Sequence, residues 1–162
     1  MWFPAGDIPR IAEEYRQLYP EVAVPSSPAL PGVGESFAAV RRLSGRIVVI
    51  TGKYEPNARR HLRHLELTVD AVVGWAWAQG KVAAMREQGT HVYVGDHPAD
   101  MTAAKGAHPT TAVGVLTGDH SEAELFDASA DVVLPDLSDF SAWLDGYHTA
   151  GRISVGLGGT DR

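Results

Sequence analysis

A chain of 162 residues suits one domain, which at this size buries about 70% of the surface its unfolded form exposes. Hydrophobic residues make up 44% and charged residues 21%, enough for a core, so disorder is not the default for most of the length. The 20 acidic against 14 basic residues, net charge −6, argue against a nucleic-acid partner, and the lack of cysteine excludes disulfides and thiolate metal sites.

No apolar run reaches the roughly 20 residues of a membrane span, and the first ten residues, MWFPAGDIPR, lack the basic start and apolar stretch of a signal peptide. A cytoplasmic protein with no membrane partner is expected. The one basic cluster is Arg59, Arg60, His61, Arg63 and His64, of which Arg59, Arg60 and Arg63 fit the wet side of a helix.

In chain order, residues 7–19 predict a short helix, with Asp7 as N-cap, Ile8, Ile11, Ala12, Tyr15 and Leu18 on one face, and Pro20 as its stop. The segment VPSSPALPG, 24–32, predicts an extended linker. Helix and strand signals then alternate. Helices are predicted over 34–43, 56–65, 80–88, 99–106, 121–128 and 137–145, and strands over 46–51, 70–74, 91–95, 110–116 and 131–134. The strands are nearly all apolar, so both their faces should be covered, as in a parallel sheet between helical layers. The expected organisation is a partial helical cap at 1–23, a linker at 24–33, a Rossmann-like α/β core at 34–146 and a flexible tail at 147–162. The alternation Ile153, Val155, Leu157 is the tail's one hint of order.

Three features fall at the carboxyl ends of predicted strands or at helix starts, where open α/β sheets gather their ligand sites. Thr51-Gly52 offers a hydroxyl and a backbone N–H that suit a phosphoryl oxygen, although a threonine ending a strand is more often structural. Lys81 opens a helix, where ammonium and helix N-terminus together suit an anion; a solvated surface lysine is the alternative. In VGDHPADM, Asp96 and Asp100 offer hard oxygens of the kind that hold magnesium, or else cap and solvate the helix.

In this order, ITGK at 50–53, GK at 80–81 and VGDHPADMTAAKGA at 94–107, followed by TTAVGVLTG and ADVVLPDLSDF, the chain resembles the haloacid dehalogenase superfamily, in its phosphoglycolate-phosphatase-like branch with a small helical cap. The linker PALPGVGESFAAVRRL looks like that family's return from cap to core. The resemblance implies a three-layer parallel sheet with helices on both faces and a magnesium-dependent phosphatase acting on a small phosphorylated metabolite. It implies that Thr51 and the Gly52 amide bind the phosphoryl group, that Lys81 neutralises charge, and that Asp96 holds Mg²⁺ with Asp100 in support. His97 stands where the family often has serine or threonine, and no acid or base work is assigned to it.

The family's nucleophile is an aspartate in an Asp-x-Asp motif ending the first strand, and this sequence has no Asp-x-Asp. The resemblance implies that the missing strand belongs mid-sheet, between the strand ending at Thr51 and the one ending before Asp96. Three explanations stay open: an incomplete version of a longer phosphatase; a truncated protein that closes its sheet directly or inserts residues 153–157; or a catalytically dead member that binds a phosphorylated ligand or a partner. Exposed edges in an interrupted sheet would favour self-association.

Overall fold

The structure, a computed structural model, describes residues 5–152. After a single 3-10 turn at Ala5–Asp7, the elements run α1 Ile8–Val22, α2 Val33–Arg42, β1 Val48–Ile50, α3 Glu55–His64, β2 Ala71–Val73 and α4 Gln79–Gln88. They continue with β3 Val92–Gly95, α5 Pro98–Gly106, β4 Thr111–Val115, α6 Glu122–Asp127, β5 Val132–Leu134 and α7 Phe140–Thr149. Every strand is parallel to its neighbour, as helix-alternating apolar runs require. Along β4 the side chains alternate between two buried layers. Ala112 packs with Met85, Met101, Ala104 and Leu125, from α4, α5 and α6, on one face. Val113 and Val115 pack with Ala39, Phe140 and Leu144, from α2 and α7, on the other. This is the expected three-layer α/β arrangement.

The sheet is split. β1 pairs with β2, and β3 with β4 and β4 with β5, while among the described residues no strand lies between β1 and β3. The hydrogen bonds fix which groups face the break. Asp70 N donates to Ile47 O and Thr51 N to Val73 O, so the parallel ladder's alternation turns the backbone groups of Val48 and Ile50 away from β2. Thr111 N donates to His91 O, and by the same alternation Val92 and Val94 turn theirs away from β4. Between them runs a groove of about 830 Å³, also lined by Phe37 and Val40 of α2 and by Leu144 of α7. Direct closure of the sheet between its flanking strands is therefore not what the chain adopts. Insertion of residues 153–157 concerns a segment outside the described residues.

Four local expectations are corrected. Asp7 has helical backbone angles and makes no capping bond; its carboxylate faces Arg10 at 3.8 Å. Pro20 does not stop α1, which continues to Val22. A proline here removes the N–H that would bond to the Arg16 carbonyl, and the Asn57 side-chain amide of α3 donates to that carbonyl instead, at 3.3 Å. The predicted apolar face of α1 is not buried: Ile8, Tyr15 and Leu18 are exposed, and Tyr19 is the residue covered. The last helix begins at Phe140 and runs to Thr149, past the expected end at 145. Tyr147 stacks on Trp143 with centroids 4.9 Å apart, and its hydroxyl bonds to Thr111 Oγ1, which holds the final turn.

The linker ends at Gly32, whose φ of +80° favours glycine. A side chain there would meet Ser138 N at 2.2 Å. Ser36 Oγ donates to the carbonyls of both Gly32 and Leu137 and fastens α2 to the loop before α7. Arg59, Arg60 and Arg63 of α3 are exposed as expected, with Arg59 paired to Glu55 within its own helix.

Candidate functional site

The carboxyl ends of β1, β2 and β3 meet on one side of the core. β1 runs into a turn in which Thr51 Oγ1 accepts the Lys53 N–H at 3.2 Å, leaving the hydroxyl proton free to donate. The Gly52 N–H has no acceptor among the described residues. Two further bonds tie this turn to the segment after β2: Trp75 N donates to Lys53 O and Ala76 N to Thr51 O, both at 3.0 Å. The surroundings are positive. Burial, then the charges of Lys53 and His64, hold the His61 imidazole below its usual pKa.

Lys81 lies in the first turn of α4. Its ammonium forms an ion pair with Asp100 Oδ1, at side-chain exposures of 19% and 10%. Asp100 is in the first turn of α5, where the helix dipole also favours a carboxylate. Gly95 allows this closeness, because a Cβ there would fall 2.6 Å from Asp100 Cβ. His97 caps α5, its Nδ1 accepting the Ala99 N–H at 3.0 Å, and its ring meets His120 edge-on at 4.5 Å. The cap is therefore a histidine, and the acid pair is left to other work.

Asp96 is exposed and has no hydrogen-bond partner among the described residues. Its carboxylate rests against Gly118 in the loop after β4: a Cβ on that glycine would lie 2.6 Å from Oδ2. Asp96 and Ile50 line the same groove from its two banks.

Tyr93 joins the two banks and was not singled out by the sequence. Its hydroxyl lies 3.3 Å from Asp100 Oδ1 and 3.4 Å from the Ile50 carbonyl oxygen, two acceptors for one proton. Burial first, then the Asp100 charge and hydrogen bond and the Asp96 charge, push the phenol well above its ordinary pKa, so it stays a donor. A continuous set of contacts thus runs from Thr51 through its neighbour Ile50 to Tyr93, Asp100 and Lys81. The only signal for Tyr93 was its place three residues before Asp96 in a strand otherwise made of valines and glycine.

Among the described residues no three His, Asp or Glu groups cluster as a metal cage. The donors present still suit a magnesium ion, which is commonly held by one or two carboxylates with water and phosphate oxygens. Asp96 offers a free carboxylate, while Asp100 has Oδ1 committed to Lys81 and Tyr93. Such a site can hold a dianionic phosphate through a hydroxyl, an amide and a cation. Among the described residues it lacks a carboxylate nucleophile at the sheet's centre.

A family model described as haloacid dehalogenase-like hydrolase matches residues 5–105. A hydrolase from Pseudomonas syringae superposes with a TM-score of 0.74 at 25% identity, covering 90% of this chain and 72% of that one. A predicted phosphatase from Clostridium acetobutylicum gives 0.75 at 18% identity, covering 89% and 72%. A haloacid dehalogenase-like protein from Streptococcus pneumoniae gives 0.72 at 16%, covering 88% and 72%. The last two likenesses speak to the fold alone. No curated protein matches the sequence, and no described helix is long and apolar enough to cross a membrane.

Proposed function

The chain belongs to the haloacid dehalogenase-like hydrolase family, and from that premise we propose that the Thr51, Lys81 and Asp96 end of its sheet serves hydrolysis of a phosphomonoester of a small cytoplasmic metabolite. The observation that supports the reading most is the part-buried Lys81–Asp100 pair beside the exposed Asp96. Tyr93 links that pair to the Ile50 carbonyl, one residue before a turn whose Thr51 hydroxyl proton and Gly52 amide are unused among the described residues, which supports a shared anion site.

In this reading Thr51 Oγ and the Gly52 N–H donate to the phosphoryl oxygens. Lys81, fixed by Asp100, supplies positive charge that does not have to reorganise when the phosphoryl group transfers. Asp96, supported by Asp100, would hold Mg²⁺, which when bound offsets phosphate charge. Tyr93 keeps Asp100 oriented. Attack is assigned, by the family's pattern, to an aspartate on a strand seated between β1 and β3, through a phosphoaspartyl intermediate. The proposed organisation follows: residues 1–23 as part of a cap, 24–33 as linker, a core from 34 that lacks this central strand and extends through α7, and a tail beyond.

The open groove and the lack of Asp-x-Asp favour a second reading, a module that binds a phosphorylated ligand without turning it over. One experiment tests the site on which both readings rest. Residues 1–162 should hydrolyse a generic phosphate ester at no more than background, yet bind inorganic phosphate in a magnesium-dependent manner that Asp96→Asn removes. Robust turnover that vanishes in Asp96→Ala would refute the assignment of attack to a strand in the groove. Full binding in Asp96→Asn would remove the magnesium site. Sedimentation of the same sample reports whether the free edges of β1 and β3 associate copies of the chain.

A further inference from the structure

Beside the proposed phosphate turn the chain sets three aromatic side chains in water. Trp77 is 64% exposed, Trp75 53% and Tyr54 37%. Trp77 does not merely stand near the turn. A Cβ added to Gly52 would fall 2.4 Å from its Cη2 and 2.5 Å from its Cζ2, so the six-membered ring lies directly against the Gly52 backbone. Trp75 and Tyr54 form a tilted pair with centroids 5.8 Å apart, and the Arg16 guanidinium of α1 stands over both, at 5.2 and 5.7 Å.

This exposure is held in place. Trp75 and Ala78, on either side of the Ala76–Trp77 step, have φ of +56° and +42°, a region that costs a non-glycine residue about 1 kcal/mol or more. The segment is nevertheless bonded to Lys53 O and Thr51 O, and Gly80 N closes on Trp77 O at 2.7 Å. An indole fixed by a strained loop, one face on the glycine of a phosphate turn and the rest in water, offers a stacking surface next to an anion site. The neighbouring charges, Lys53 on the turn and Arg16 above the aromatic pair, match a dianionic phosphate more than a neutral apolar partner.

We propose that Trp77, with Trp75 and Tyr54 beside it, selects phosphomonoesters whose alcohol carries a planar aromatic ring, stacking that ring while Thr51 and Gly52 hold the phosphate. The inference rests on the phosphate-site reading above and narrows its substrate class. Two sources share the chemistry, a nucleoside 5′-monophosphate and a simple aryl phosphate, and they differ in the ribose spacer between ring and phosphorus.

The test is equilibrium binding by titration calorimetry, with the full chain and magnesium. The probes are inorganic phosphate, glycerol 3-phosphate, phenyl phosphate and adenosine 5′-monophosphate. At least one ring-bearing ester should bind about 5- to 150-fold tighter than glycerol 3-phosphate, the range for one stacked ring, and the tighter of the two identifies the source. Trp77→Leu should abolish that preference, read as the ratio of the ring-bearing ester's affinity to that of glycerol 3-phosphate in the same variant, while Trp77→Phe should keep part of it. Trp75→Leu gives a second reading on the same surface. Equal affinity for ring-bearing and ring-free esters, or a preference that survives Trp77→Leu, overturns the inference and leaves the phosphate site standing. Failure of all four probes to bind overturns the phosphate site itself, and the inference with it.

Discussion

Replacing Lys81 by methionine tests the electrostatic centre of the site without chemistry. The substitution keeps the length of the stem and deletes the ammonium. Asp100 is then a carboxylate 10% exposed, with Tyr93 as its remaining donor. Removing one partner of a fully buried pair costs about 3 to 5 kcal/mol; with Lys81 at 19% exposure, about 2 to 4 kcal/mol is expected here. Asp100→Leu leaves the ammonium stranded at similar cost. The double variant Lys81→Met with Asp100→Leu replaces the pair by packed apolar groups and should come within about 1 to 2 kcal/mol of the parent, because such replacements are often neutral. Tyr93 retains the Ile50 carbonyl as acceptor, which limits the residual loss. Urea unfolding at pH 7 reads all three: at an m-value of about 2 kcal/mol/M, each single change lowers the midpoint by roughly 1 to 2 M. The double-mutant cycle should return a coupling of about 2 kcal/mol or more. Single losses under about 1 kcal/mol that simply add would refute the reasoning, for the pair would then behave as a surface ion pair with no preorganised charge to offer.

Two more outcomes follow from local geometry. Gly95→Ala brings a Cβ to 2.6 Å from Asp100 Cβ and should cost about 2 to 3 kcal/mol as α5 is pushed from β3, whereas Gly80→Ala, with open space around it, should gain about 0.5 to 1 kcal/mol of helix stability; thermal midpoints of the two variants, moving in opposite directions, check this. The Ile47 amide first, then Arg41, hold the Asp70 carboxyl below its ordinary pKa of 3.8. A carboxylate with a lowered folded pKa stabilises fully above its unfolded value, about pH 4, and loses that contribution as acid titrates it. Asp70→Asn should therefore cost about 1 kcal/mol at pH 7 and show a smaller further loss between pH 4 and pH 2 than the parent, measured by urea midpoints.

Much of the fold could be read from the chain because its signals are local. Valine pairs such as Val48-Val49 and Val72-Val73, each followed within a few residues by a glycine, mark strands whatever surrounds them, and Gly95-Asp96 marks a strand end followed by a helix start. What escaped depends on distant partners. Pro20 is a fair stop signal until Asn57, 41 residues from Arg16, satisfies the carbonyl it orphans. Tyr93 looks like any strand aromatic until α5 brings Asp100 back to its hydroxyl. The Lys81–Asp100 pairing needs two helix starts, 19 residues apart, to face each other. The stacking of Trp77 on Gly52 needs two strand ends side by side, a relation of register that no single segment contains.

The tyrosine bridge across the broken sheet gives the gap a say in the chemistry beside it. Anything that lies between the two half-sheets and claims the Ile50 carbonyl evicts the phenol proton from that acceptor. The hydroxyl is then left with Asp100 as its one acceptor, the same carboxylate oxygen that pairs with Lys81. Whatever fills the seam thus meets the Lys81–Asp100 pair through a single hydroxyl.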